Sequence, residues 1–268
     1  MLKSIDRLLT IMARLRAPEG GCPWDLEQSF KTIAPHTIEE AYEVVEAIES
    51  GDRAALKDEL GDLLFQVVFY AQMGQEEGSF DFEAIAAAIC AKMERRHPHV
   101  FGEARIDSAA AQTAAWEATK AAERLAKAAP EAPPSALDGV SSALPALTRA
   151  LKLQGRAGRV GFDWPEPAQV LDKIAEEIEE VRAELGEGVP KERLEDEVGD
   201  LLFACVNLAR KLNIDPETAL RGGNRKFERR FHSIEAALAA EGRRPTDASL
   251  DEMEALWVAA KRAERTGE

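Results

Sequence analysis

The sequence predicts an all-α protein built twice from one helical unit, and three observations carry that prediction. Apolar residues recur at helical spacing almost throughout, as in Ile174, Ile178, Val181 and Leu185, while alternating strand-like runs are hard to find. Four blocks recur in the same order in the two halves: EEAYEVVEAIE and EEIEEVRAELG, KDELGDLLF and EDEVGDLLF, KMERRH and KFERRF, WEATKAAER and WVAAKRAER. Between Ala128 and Pro145 the side chains become small or polar, and Pro130, Pro133 and Pro134 forbid a continuous helix. The division expected is a first domain over 1–126, a linker over 127–142 and a second domain over 143–268.

Taken in order, MLKSIDRLLTIMARLR is broken by Lys3, Asp6, Arg7, Arg14 and Arg16. It reads as an amphipathic helix, with neither the apolar core of a signal peptide nor a membrane span. GCPWD follows as a turn with Trp24 as its hydrophobic anchor, and VGFDW, Val160 to Trp164, stands in the matching place of the second half. Next come two helices with acidic borders. They are joined by ESGDRAA in the first copy and GEGVPKE in the second, each with the Gly or Pro expected between helices. A third helix carries the basic block, and a shorter last one carries Trp and Lys.

At 268 residues and 45% hydrophobic content, the chain can supply a core for each domain. A formal charge of −15, from 34 basic and 49 acidic residues, argues against non-specific binding to nucleic acid or to an anionic membrane. Three cysteines, Cys22, Cys90 and Cys205, show no CxxC spacing. They read as reduced packing thiols in a cytoplasmic protein.

Successive residues on a helix lie about 100° apart. With Ile174, Ile178, Val181 and Leu185 as the buried stripe, Glu177 and Glu180 fall along its edge, bordering the core without entering it. In the next helix Leu194, Val198, Leu201 and Cys205 make the stripe, and Glu197 and Asp200 take the corresponding edge. An antiparallel pair joined by a short turn brings these edges together, so four carboxylates converge. Glycine at Gly199 is expected to admit a neighbouring helix. Like charges about 4 Å apart repel by roughly 1 kcal/mol in water and about 4 kcal/mol at an effective dielectric of about 20. Such a cluster calls for a cation, and oxygen ligands favour Mg²⁺ first and Mn²⁺ second. Zinc is disfavoured because no Cys or His accompanies these residues. A di-iron site would want repeated Glu-x-x-His pairs; Glu94 with His97 is the one example, and Phe231 replaces His97 in the second copy.

The complementary half of a site is basic. NRKFERRF places Lys226 and Arg230 four apart on one helical face, and Trp257 and Lys261 share the same spacing. Such a set suits a ligand with phosphates and a base. The competing reading makes Trp257 core and leaves the cations solvated or paired with neighbouring glutamates.

On these residues the sequence resembles the MazG family of nucleoside triphosphate pyrophosphohydrolases, within the all-α NTP pyrophosphohydrolase superfamily that also contains dimeric dUTPases. The resemblance runs over nearly the whole chain in its two-domain form: GCPWDLEQSF, TIEEAYEVVEAI, ELGDLLFQVVFYAQ, ERRHPHVFG, VGFDW, EEIEEV, EVGDLLF, NRKFERRF and the final Trp-x-x-x-Lys. It implies a fold of tandem helical bundles and a reaction of NTP and water giving NMP and pyrophosphate. The family metal motif falls on Glu177, Glu180, Glu197 and Asp200, and in the first half on Glu40, Glu43, Glu59 and Asp62. Glu176 or Glu179 would orient the attacking water. Lys173, Asn224, Lys226 and Arg230 would hold the phosphates and nucleotide, and Trp257 and Lys261 would close the nucleotide side.

The copies differ in one respect that bears on activity. The first keeps its four acidic residues with Lys92, Arg96, Trp116 and Lys120, yet has His36 in place of Lys173 and Cys90 in place of Asn224. Catalysis is therefore expected in 143–268, with the first copy structural or regulatory. The resemblance implies a homodimer, with which the wide apolar helix faces agree, while an intramolecular packing of the two halves would use the same surfaces. Two rival functions are a non-catalytic helical module whose acidic faces bind a protein partner, and a phosphatase releasing orthophosphate.

Overall fold

A computed structural model describes residues 4–108, 111–113, 115–116, 119, 123, 135–186 and 189–266, and among these there is no strand. The chain divides into two compact units, Met1–Ala121 and Ala122–Glu268. Of the expected linker, residues 127–134 lie outside the described residues, as does Lys120. Ser135 to Val140 form a turn whose Asp138 and Gly139 carbonyls accept hydrogen bonds from Arg156.

In the first unit α1 (Ser4–Leu15) and the short α2 (Pro23–Glu27) precede the long pair α3 (Phe30–Ser50) and α4 (Arg53–Glu77), then α5 (Phe82–Arg96) and the single turn α6 (Pro98–Phe101). The boundaries follow from local chemistry. Ser29 and Thr32 form a reciprocal capping box at the start of α3, and Gly51, at φ +76°, ends it in the left-handed region that other side chains resist. The Asp52 carboxylate then caps α4 through the amides of Ala54 and Ala55, and Asp81 caps α5. Helix α4 packs against α1, α3 and α5. Met12, Ile33, Val68, Phe69 and Met73 form the core between them. Gly74 is required by a close approach: a Cβ there would lie 2.5 Å from the Phe80 ring.

The second unit has α7 (Ala146–Arg159), α8 (Pro167–Ala183), α9 (Lys191–Lys211), α10 (Pro216–Ala240), a 3-10 turn at Pro245–Asp247 and α11 (Leu250–Thr266). Here α9 packs against α7, α8 and α10, and α11 packs against α10. The pattern repeats that of the first unit, so α7 stands where α1 does. The repeat is one helix longer than the four matching blocks of sequence reveal. Its core is built of smaller side chains, among them Val170, Ala204, Val206, Ile234 and Leu238.

The acidic hairpins are turned relative to the sequence-based stripe. The seam of α8 runs through Val170, Ile174, Glu177 and Val181, and that of α9 through Leu194, Glu197, Leu201 and Ala204, all of them buried or half-buried. Glu177, expected at the border, is inside, at 4% exposure, while Ile178, Leu185, Val198 and Cys205 are exposed. The seam steps by three and four residues, as in coiled-coil packing, and a glutamate occupies one core step of each helix. Gly199 and Gly61 face open space, so among the described residues neither admits a neighbouring helix of its own unit. The thiols are free, and those of Cys90 and Cys205 are exposed rather than packed.

Candidate active site

Each hairpin gathers its acids through that seam. In the second unit ligand oxygens of Glu177, Glu197 and Asp200 lie within 4.8 Å of one another. Glu180 is the fourth member: its carboxyl is pushed up first by sharing hydrogen-bond reach with Glu177, then by burial, with the Glu197 charge adding to the effect. In the first unit the close set is Glu40, Glu43 and Glu59. Burial, followed by the charges of Asp62 and Glu43, raises Glu40. Burial, then Glu43 and Asp62, raises Glu59. The four carboxylates named in each half are thus neighbours.

Around Glu177 the chemistry is specific. Lys173 Nζ lies 2.8 Å from Glu177 Oε1 and 2.8 Å from Glu176 Oε1, and these hydrogen bonds hold the ammonium well above its usual range. The other oxygen, Glu177 Oε2, is buried and has no hydrogen-bond partner. A buried carboxylate oxygen without a donor is costly. An all-oxygen set with such an orphan fits a hard divalent cation. Glu176 and Glu179 are exposed; the first is tied to Lys173, and the second takes Arg182 at 2.5 Å.

In the first unit His36, in the place of Lys173, sits 3.4 Å from Glu39 and edge-on to Trp24 at 6.0 Å. The Glu40 oxygen instead accepts from Gln66 Nε2 at 3.3 Å. Trp24 is half exposed over that histidine instead of anchoring a turn, whereas Asp25 is buried. In the matching segment of the second unit Phe162 and Trp164 are exposed, and Asp163 makes the anchor by binding Arg210 and Lys211 at the end of α9.

The basic and aromatic residues of α10 and α11 meet as well. The Arg230 guanidinium stands over the Trp257 ring at 5.3 Å, and Phe227 packs on the same ring at 5.4 Å. Arg230 Nε and Nη2 both donate to Glu264 Oε2, at 2.9 and 2.7 Å, and Arg229 donates to Oε1 at 2.8 Å. Arg230, then Arg229, hold the Glu264 carboxyl below its usual range. Asn224, Lys226 and Lys261 are exposed on these two helices. Sequence reasoning passed over Glu264, although the last repeated block carries the same glutamate as Glu123. In the first unit the Trp116 ring lies 6.3 Å from His97, which lies 5.7 Å from His99.

Fold and site together define a class: an all-α bundle, duplicated in one chain, with carboxylate clusters suited to a hard cation on its helical hairpins. The model of the MazG nucleotide pyrophosphohydrolase domain matches residues 28–101 and 166–234, over half of the chain and both hairpins. The chain is 54% identical over 264 residues to a nucleoside triphosphate pyrophosphohydrolase of Escherichia coli K12, covering 98% of this chain and 99% of the other. It is 40% identical to the nucleoside triphosphate pyrophosphohydrolase/pyrophosphatase MazG of Thermotoga maritima, over 97% of both chains. It is also 42% identical to the uncharacterized protein YabN of Bacillus subtilis, over 96% of this chain and 51% of that one. This chain belongs to the MazG nucleotide pyrophosphohydrolase family. No helix among the described residues is long and apolar enough to cross a membrane.

Proposed function

We propose that the chain hydrolyses nucleoside triphosphates, ribo- and deoxyribonucleotides included, to the monophosphate and pyrophosphate, in nucleotide-pool control or stress-nucleotide metabolism. The proposed cofactor is Mg²⁺, with Mn²⁺ as its substitute, held by Glu177, Glu180, Glu197 and Asp200. The observation that carries this reading is the buried, donorless Glu177 Oε2 among converging carboxylates. A cation bound there would neutralise phosphate oxygens and make water a better nucleophile. Lys173, already at the cluster, would hand its ammonium to a phosphate oxygen. Glu176 shares that lysine and is the better placed of the two water-orienting candidates, since Glu179 is tied to Arg182. Arg230 and Lys226 would take the phosphate tail, with Asn224, Trp257 and Lys261 on the nucleotide. Relatives that carry the pyrophosphohydrolase name along their full length favour this reading over a protein-binding module.

Replacing Glu177 with Gln in the full chain should abolish pyrophosphate release from an NTP under Mg²⁺ while helicity by circular dichroism is kept. Replacing Glu40 with Gln should leave substantial release if catalysis resides in the second copy. Orthophosphate as the product would defeat the assignment. A homodimer is part of the proposal, supported by apolar side chains left exposed on both hairpins, such as Leu60 and Leu64 in one and Val198 and Leu202 in the other.

A further inference from the structure

Helix α11 carries Trp257, Lys261 and Glu264 at steps of four and three, so the three positions share one face of it. Two of these side chains meet Arg230 of α10. The guanidinium stands over the Trp257 ring at 5.3 Å, and its Nε and Nη2 both donate to Glu264 Oε2, at 2.9 and 2.7 Å. Arg229 donates to the other carboxylate oxygen at 2.8 Å, so Glu264 cannot turn away without losing a bond at each end. Phe227 packs on the same indole at 5.4 Å. Arg230 is thereby fixed along one edge and one face, and its side chain is 13% exposed. Its third nitrogen, Nη1, takes no part in the pair with Glu264.

A loose arginine is a poor phosphate ligand, because ordering its long side chain consumes part of the binding energy. A guanidinium already held through two nitrogens presents its remaining N–H groups to an oxygen without that loss. The arrangement also carries a cost that makes it informative. A carboxylate this close to an arginine that receives phosphate repels the same phosphate.

We propose that Glu264 is a positioning residue of the pyrophosphohydrolase site: it holds Arg230 against Trp257 in the orientation that receives the phosphate tail, and Arg229 holds Glu264. The inference rests on the reading of Arg230 as a phosphate ligand. Glu264 itself touches no reacting group and acts through Arg230 alone.

Charge and position predict opposite signs for Glu264→Met, which removes the carboxylate at similar volume. By charge alone a polyphosphate should bind more tightly. By loss of the clamp it should bind about fivefold more weakly, the cost of immobilising one long side chain on binding. Two measurements on the full chain with Mg²⁺ decide: KM and kcat for pyrophosphate release from an NTP, and calorimetric binding of inorganic tripolyphosphate. KM and the tripolyphosphate Kd should each rise about fivefold, with kcat changing less than about twofold, since a tail contact is made in ground and transition state alike. Glu264→Gln, which keeps one acceptor for Arg230, should fall between the native chain and Glu264→Met. Arg230→Met should weaken both by about tenfold or more, and adding Glu264→Met to it should change them by less than about twofold. A merely structural glutamate would instead lower the thermal unfolding temperature and add in full to Arg230→Met. Full additivity, or tripolyphosphate bound as well or better by Glu264→Met, would overturn the proposal. Arg230→Met with native KM and Kd would remove its premise and the proposal with it. The expected coupling in tripolyphosphate binding without any pyrophosphate from NTPs defeats the pyrophosphohydrolase assignment alone. Pyrophosphate release by Glu264→Met at the native KM defeats this inference alone.

Discussion

Asp163 shows how a single carboxylate can fasten an otherwise open segment. Phe162, its neighbour, is 82% exposed, so the stretch leading into α8 has little apolar burial to hold it. Asp163 instead binds Arg210 and Lys211 at the end of α9. Burial raises its carboxyl, but the hydrogen bonds and charges of Arg210 and Lys211 outweigh this and leave it below the usual carboxylate range. The Glu76 carboxyl in the first unit is lowered by its hydrogen bond from Arg16, at 2.6 Å. A carboxyl whose folded pKa is depressed adds stability that is complete above its unfolded value, about 4, and is lost as pH falls through the folded value. Asp163→Asn should therefore cost roughly 1–2 kcal/mol near neutral pH, a partly exposed bond being worth less than a buried one. Urea denaturation of the two proteins should show the difference shrinking below about pH 4. A deficit that persists unchanged at pH 3 would mean that packing, not charge, is lost.

At the scale of elements, the helices were legible because their punctuation is chemical. Ser29, Asp52 and Asp81 accept from the backbone at helix starts, and Gly51 and Gly78 end helices with positive φ. The acidic residues of the site were legible because the hairpin repeats. What the sequence did not disclose was the rotation of those hairpins. A pattern read from apolar letters alone continues from Ile174 to Ile178 and Leu185, whereas the seam that packs continues from Ile174 through Glu177 to Val181. A functional acid in a core step breaks the hydrophobic periodicity just where it matters, and the aliphatic residues beside it then read as the buried face. The clamps through Asp163, Glu76 and Glu264 were likewise invisible, because each joins residues distant in the chain whose spacing has no period. Glycines test the revised orientation. Gly74→Ala should destabilise by about 1–3 kcal/mol, since its Cβ would strike both the ring and the backbone oxygen of Phe80. Gly61→Ala, with open space around it in the interior of α4, should raise stability by up to about 1 kcal/mol. Thermal unfolding of both variants checks the pair, and the opposite order would place the face of α4 wrongly.

For the whole molecule, the same rotation leaves apolar surface uncovered on the hairpin of each unit. Ile38, Tyr42, Leu60 and Leu64 are exposed on α3 and α4, and Leu171, Ile178, Val198, Leu202 and Phe203 on α8 and α9, with Leu202 at 53%. Scattered exposed aliphatic residues are ordinary, but these share hairpins and recur at matching places, Leu60 with Val198 and Leu64 with Leu202. A stable interface buries about 1,600 Å² in total. Charge reinforces the argument: with a net −15, two chains repel at long range, so association must rest on the apolar face and should strengthen as salt screens that repulsion. In sedimentation equilibrium the native protein should therefore behave as two 29.3 kDa chains and dissociate less at high salt than at low salt. Leu64→Lys combined with Leu202→Lys should give monomer at micromolar concentration. The double variant should keep its helical circular dichroism, because neither side chain reaches the core of its own unit. A native chain that sediments as a monomer at every salt concentration would assign the exposed hairpin faces to some other role.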